Sequence, residues 1–115
     1  MATINFRGSW IAKGVHQTVW PNMGDDDSGL AQSGSPLSDK SVQVTGTWGG
    51  ATLVLQGSND GDTWFTLNDP AGVDISFTAN GLMQILEGTR FTRPVTSAGA
   101  GTDVTVALIE RGGQI

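Results

Sequence analysis

Residues 40–67, KSVQVTGTWGGATLVLQGSNDGDTWFTL, decide the fold. Val42, Val44, Gly46 and Trp48 share one parity, while Gln43, Thr45 and Thr47 share the other. That is the alternation of a strand with one buried face. Gly49-Gly50 follows, two residues that accept positive φ in a two-residue hairpin turn. Folding about it pairs Trp48 with Ala51, Gly46 with Leu53 and Val44 with Leu55. A slip of one residue would set leucines opposite threonines, so the apolar pattern selects one register. Asn59-Asp60-Gly61 suits a three-residue hairpin loop closed by a left-handed glycine. That loop pairs Leu55 with Phe65 and Leu53 with Leu67. The expectation is a three-stranded meander with the core face Val42, Val44, Trp48, Leu53, Leu55, Phe65 and Leu67. Trp64 has the opposite parity, beside Val54, and belongs to a second buried face or to an interface.

Downstream, Asn68-Asp69-Pro70-Ala71-Gly72 is a turn signal. Residues 73–78 then read as a short strand with Val73, Ile75 and Phe77 on one face. Asn80-Gly81 turns the chain into another strand over 82–86. Residues 90–95 alternate Phe91, Arg93 and Val95. Pro94 lacks an N–H, which places that strand at an edge or a bulge. A loop of small residues over 97–101 leads to the last strand, 102–109, with Val104, Val106 and Leu108 facing inward and a loose tail over 111–115. Upstream, 3–6 and 9–20 can be extended, whereas 23–36 is rich in Gly, Ser and Asp and includes Asp25-Asp26-Asp27. The division this suggests is an N-terminal arm and acidic loop over 1–39 and a β-sandwich core over 40–111, one domain overall. Seven or eight short strands at this spacing imply an all-β Greek-key or jelly-roll β-sandwich with an extended N-terminal arm.

Composition sets the functional bounds. A chain of 115 residues with 17 glycines and no cysteine has the size of one domain and neither disulfides nor thiolate chemistry. Six basic residues against eleven acidic ones give a net charge of −5, which argues against a nucleic-acid partner because such a partner wants a basic face. No stretch is apolar enough to span a membrane as a helix, and no membrane partner is expected. The first nine residues carry Asn5 and Arg7 and lack the apolar run of a signal peptide.

No catalytic constellation is legible. His16 is the single histidine, no cysteine is present, and no serine lies in a nucleophile elbow. One histidine makes no transition-metal cluster. Asp25-Asp26-Asp27 and Asn59-Asp60-Gly61-Asp62 offer oxygens, but both lack the spaced acids and closing glutamate of a calcium hand. They read as a solvated acidic loop and as hairpin chemistry. Glu87 and Glu110, the only glutamates, stand where strands end, and nothing in the sequence marks either as buried. The expectation is a protein that is not an enzyme and holds no metal or cofactor. The candidate interface residues are Ile4, Phe6, Trp10, Ile11 and Trp20 in the arm, Trp64 in the hairpin, and Arg90, Phe91 and Arg93 on the edge strand. Aromatic and Arg–aromatic surfaces of this kind suit docking on proteins.

The run Val54-Leu55-Gln56-Gly57-Ser58-Asn59-Asp60-Gly61-Asp62-Thr63-Trp64, with Arg90-Phe91-Thr92-Arg93-Pro94-Val95 after it, resembles small β-sandwich proteins of tailed bacteriophages, the capsid decoration or cement proteins. The resemblance spans about residues 40–110. It implies a structural virion protein on the outer capsid surface, assembled in the host cytoplasm. Its partners would be the major capsid protein and its own copies, as a homotrimer in preference to a homodimer. It carries over no functional residue. Two alternatives stay open: a carbohydrate-binding or adhesion module using Trp64 or Trp20 as a platform, and a head–tail or tail component.

Overall fold

Gly49-Gly50 is a turn, but the strands it joins lie in different sheets. A computed structural model describes residues 2–34 and 37–112, and it is all-β, with two sheets packed face to face. The strands are β1 (Thr3–Ile4), β2 (Arg7–Ala12), β3 (Val15–Met23), β4 (Ser28–Gly29), β5 (Gln32–Ser33), β6 (Asp39–Thr47), β7 (Thr52–Ser58), β8 (Phe65–Thr66), β9 (Ser76–Phe77), β10 (Gly81–Ile85), β11 (Phe91–Ser97) and β12 (Asp103–Arg111). One sheet has the order β10-β6-β12-β3-β2. The other runs β1-β4-β11-β7-β8, with β5 also on β11 and β9 on β7.

The frame is a long antiparallel ribbon folded over itself. In the five-stranded sheet β6 pairs with β12 from Thr47↔Asp103 to Asp39↔Arg111. Past the corner the same two chain segments pair again, now as β7 with β11, from Thr52↔Ser97 to Ser58↔Phe91. The corner consists of residues 48–51 on one side and 98–102 on the other. Ala51 N donates to Trp48 O (2.9 Å), Ala100 N donates to Gly49 O (3.0 Å), and the Thr102 hydroxyl donates to Trp48 O (2.7 Å). Gly49 and Gly50 have φ of 57° and 84°. A Cβ at Gly49 would run into the Ala100 carbonyl, whereas nothing lies within 4 Å of one at Gly50.

The meander is therefore corrected. β6 and β7 face each other across the core and share no edge, yet the predicted inward residues Val42, Val44, Leu53, Leu55 and Leu67 are buried. A ribbon folded face to face buries the same parity as a hairpin, because either way the chain reverses about the same two residues. Trp48 is half-buried and packs on the core. The second turn also differs. Leu67 N donates to Leu55 O, and Gly57 opposes Phe65, a register two residues from the predicted one. The loop is longer than three residues because the Ser58 and Asp60 side chains organise it. Phe65, opposite Gly57 rather than Leu55, stands 69% exposed. Val73 is exposed too, while Ile75 and Phe77 are buried.

Pro94 sits in a central strand, opposite Leu55 of β7. The edge expectation fails because β11's other flank is interrupted there. β5 covers Phe91 and Thr92, β4 covers Val95, and neither pairs with Pro94. Gly29 permits the close approach, since a Cβ there would come within 2.8 Å of both Pro94 Cγ and Trp20 Cδ1. The arm expectation is corrected as well. β3 is flanked by β12 and β2, and Trp20 and Met23 are fully buried in the core. The inward residues of β3 include Thr18 and Trp20, opposite Leu108 and Val106 of β12, while Val15, Gln17 and Val19 are only half-buried. Of the predicted arm and acidic loop, Met1, Ser35 and Pro36 lie outside the described residues. Of the loose tail, Arg111 is the last residue of β12, and 113–115 lie outside them.

The corner yields a paired prediction. Gly49→Ala adds a backbone collision to a positive φ, and Gly50→Ala adds only the φ penalty of about 1–2 kcal/mol. Denaturant unfolding should show Gly49→Ala as the more destabilising of the two by at least about 1 kcal/mol.

Candidate interaction surfaces and a buried charge cluster

The nine candidate interface residues divide into three groups. Trp20 belongs to the core, where its indole N–H donates to Leu30 O (2.9 Å), so it offers no surface. Ile4 and Phe6 are half-buried against that core, and Phe6 meets Trp20 edge-on at 5.8 Å. They are held there because β1 runs parallel to β4, with Ser28 N donating to Ala2 O and Leu30 N to Ile4 O. Trp10 and Ile11 remain exposed, on β2, the margin of the five-stranded sheet.

The third group forms a strip on the outer face of the other sheet. Inward residues of β11 are Thr92, Pro94 and Thr96, so Phe91, Arg93 and Val95 point out. The Arg93 guanidinium lies 4.0 Å from the Trp64 ring centroid, and its Nε donates to Gln56 Oε1 (2.9 Å) on the directly opposed strand position. This cation–π contact fixes a charged head on an aromatic face. Burial pushes the Arg93 pKa below its ordinary value. Arg90 stands 5.1 Å from the Phe91 ring, and its N–H donates to Asn59 Oδ1. The sequence had grouped Arg90, Phe91 and Arg93. Trp64 joins them only because the 59–64 loop folds over the sheet.

That loop is organised by two side chains. The Ser58 hydroxyl accepts from Asp60 N and Gly61 N and donates to Asp60 Oδ1. Asp60 Oδ1 accepts from Asp62 N and Thr63 N, both at 2.8 Å. These donors, Thr63 and Asp62 first, hold the Asp60 carboxyl at about 2. Beside the loop is an open depression of about 440 Å³ lined by Ser58, Asp60, Thr63, Phe65, Glu87 and Thr89 among others. One Glu87 oxygen accepts from Asn68 N (2.7 Å). The acidic loop is likewise built into the fold. Asp25 accepts from Thr102 N, and Asp27 accepts from Gly24 N and Ala2 N.

Glu110 corrects the expectation that neither glutamate is marked by burial, because its side chain is 0% exposed. Its Oε2 lies 3.5 Å from Lys40 Nζ and its Oε1 lies 3.6 Å from His16 Nδ1. Gln32 Nε2, from the opposite sheet, donates to Oε1 at 2.9 Å. The cause is register. His16, Glu110 and Lys40 are direct cross-strand partners on β3, β12 and β6 and share the inward face. Lys40 is itself only 5% exposed. No periodicity could show this, since three ordinary polar residues become a cluster only when three distant strands align. Among the described residues no three His, Cys, Asp or Glu side chains converge to hold a metal ion.

No family model matches the chain, and no curated protein matches it. Among solved structures it is similar to the SPBc2 prophage-derived protein YomS, with a TM-score of 0.67 over 90% of this chain and 100% of that one, at 12% sequence identity. At that identity the likeness shows a shared fold.

Two measurements check the local chemistry. Because the folded Asp60 pKa is depressed, its ionised form supports the loop above the unfolded value near 3.8, and that support is lost as pH falls towards 2. The Asp62 and Thr63 amide resonances should titrate with a midpoint near 2 and cease to do so in Asp60→Asn. Lys40→Met strips the buried Glu110 of its ammonium and should cost about 3–5 kcal/mol in urea unfolding, most of it recovered in Lys40→Met/Glu110→Leu.

Proposed function

We propose that this chain is a bacteriophage structural protein, a non-enzymatic virion component. It attaches to the outer surface of the capsid and stabilises the major capsid protein shell, as a homo-oligomer with a trimer preferred to a dimer. The observation that carries the reading is the outer strip in which Arg93 stacks on Trp64 beside Arg90 and Phe91. Arginine and tryptophan dominate binding hot spots, and a pre-stacked pair loses little side-chain freedom on docking. The fold likeness to a prophage-derived protein supports a phage origin. A head–tail or tail component would use the same strip on a different virion part.

The carbohydrate-binding alternative is weaker on both of its named platforms. Trp20 is wholly buried, and one face of Trp64 is covered by the Arg93 guanidinium. A sugar ring would have to displace that cation or use the other face.

The test is co-sedimentation with DNA-filled heads of a phage whose genome carries this reading frame. Arg93→Glu and Trp64→Ala should each weaken attachment by about thirtyfold or more, the effect of a hot spot worth about 2 kcal/mol. Undiminished attachment of both variants would remove the strip from the interface. Attachment to isolated tails alone would move the protein to the head–tail or tail alternative.

A further inference from the structure

Seven large apolar side chains stand exposed among the described residues, and four of them lie at the two margins of the five-stranded sheet. Trp10 (56% exposed) and Ile11 (54%) are on β2, while Leu82 (65%) is on β10 and Leu86 (58%) directly follows it. β2 pairs only with β3, and β10 only with β6, so among the described residues each margin has one unpaired side. Apolar margins of this kind are templates for another strand.

We infer that the two margins are the halves of one interface, with β2 of one copy lying alongside β10 of the next. The inference rests on the homo-oligomer part of the proposed function and says which surfaces make it. Three observations select this pairing over self-pairing of either margin.

The first is direction. Four successive antiparallel pairings separate β10 from β2, so the two strands run the same way. A second copy set beside the first in the same orientation therefore presents β10 parallel to β2, and the sheet continues. The second is charge. Residues 7–13 carry Arg7 and Lys13 and no acid, whereas 81–87 carry Glu87 and no cation. Asp39, which accepts from Gln84 Nε2 at 3.5 Å, is the cross-strand partner of Arg111, so Glu87 carries the acidic character of this end of β10. In the parallel arrangement the Lys13 end of β2 meets that acidic end. A two-fold β2–β2 pairing would instead run antiparallel and bring Arg7 towards Lys13 of the second copy, cation against cation. The third is coverage. A β10–β10 dimer leaves Trp10 and Ile11 in water, while the mixed pairing covers both margins. Ile11 sits at a bulge, where the β2–β3 register shifts between Trp10 and Ala12, and so has no β3 partner of its own.

An interface between two different surfaces closes into a ring when its rotation allows, which a trimer requires and an isologous dimer does not. The test uses two variants, each spoiling one margin: Ile11→Glu on β2, which leaves intact the edge-on contact of Trp10 with His16 (ring centroids 5.0 Å apart), and Leu82→Glu on β10. Light scattering should find the unaltered chain as an oligomer and each variant alone as a monomer. An equimolar mixture should form a two-chain complex and nothing larger, because each variant keeps the margin the other has lost. Circular dichroism establishes that each variant is folded, and Ile11→Ser and Leu82→Ser replace any that is not. A monomeric unaltered chain, dissociation by only one variant or by neither, or a mixture that stays monomeric overturns the inference. A monomer that still attaches to heads would overturn the margin pairing and leave the virion reading intact. An oligomer that ignores heads would do the reverse.

Discussion

The constraint on which the structure depends is the corner at residues 48–51 and 98–102. There a two-stranded ribbon leaves one sheet and enters the other without losing its pairing. Trp48 O and Gly49 O each accept a bond from the opposite side of the corner, and the Gly49 backbone lies against the Ala100 carbonyl. Because β6/β12 and β7/β11 are the same ribbon on either side of that corner, folding it sets both sheets' inner faces together in one step. Val42, Val44, Val104, Val106 and Leu108 then meet Leu53, Leu55 and Thr96 across the core. The remaining strands add to this frame. β3 and β2 extend one sheet past β12, β10 extends it past β6, and short strands fill the other sheet around β7 and β11.

The same frame explains an apolar core with one ionic end. The inward residues of β3, β12 and β6 are apolar or threonine in their middle rows. At the row where Glu110 opposes both His16 and Lys40 they are ionisable. Gln32 reaches this row from the facing sheet. A buried carboxylate is tolerated because a cation and a hydrogen-bond donor reach it from separate strands, which makes that end of the sandwich sensitive to alignment rather than to hydrophobicity. Outside the frame lie the parts that folding does not use: the Arg93–Trp64 strip and the two margins of the five-stranded sheet.

What could be read from the chain alone was parity. Alternation in 42–48 and 52–55, and again in 102–109, identifies inward residues, and Gly49-Gly50 identifies a reversal, because side-chain direction in a strand is a local property of the backbone. The all-β class follows from the same pattern. The identities Arg90, Phe91 and Arg93 also marked an Arg–aromatic cluster directly, since all three come from one strand and its edge. Parity says nothing about which edge a strand pairs. The Gly49-Gly50 reversal therefore read as a hairpin, although β6 and β7 each gain more pairing from β12 and β11 than from one another. Pro94 read as an edge residue for a similar reason: its missing N–H was legible, but the gap between β4 and β5 that accommodates it was not. Trp20 and Trp64 could not be told apart as core and surface, because each depends on what a distant segment lays over it. Glu110, His16 and Lys40 became a buried cluster only through the alignment of three strands far apart in the chain. The sequence alone determined the long strands, the inward faces of 42–44, 53–55 and 104–108 and the reversal at Gly49-Gly50, which are fixed within a few residues by backbone sterics and hydrophobicity. The tertiary structure alone decided edges, burial of charge and the make-up of the exposed strip, which depend on long-range pairing that no local pattern encodes.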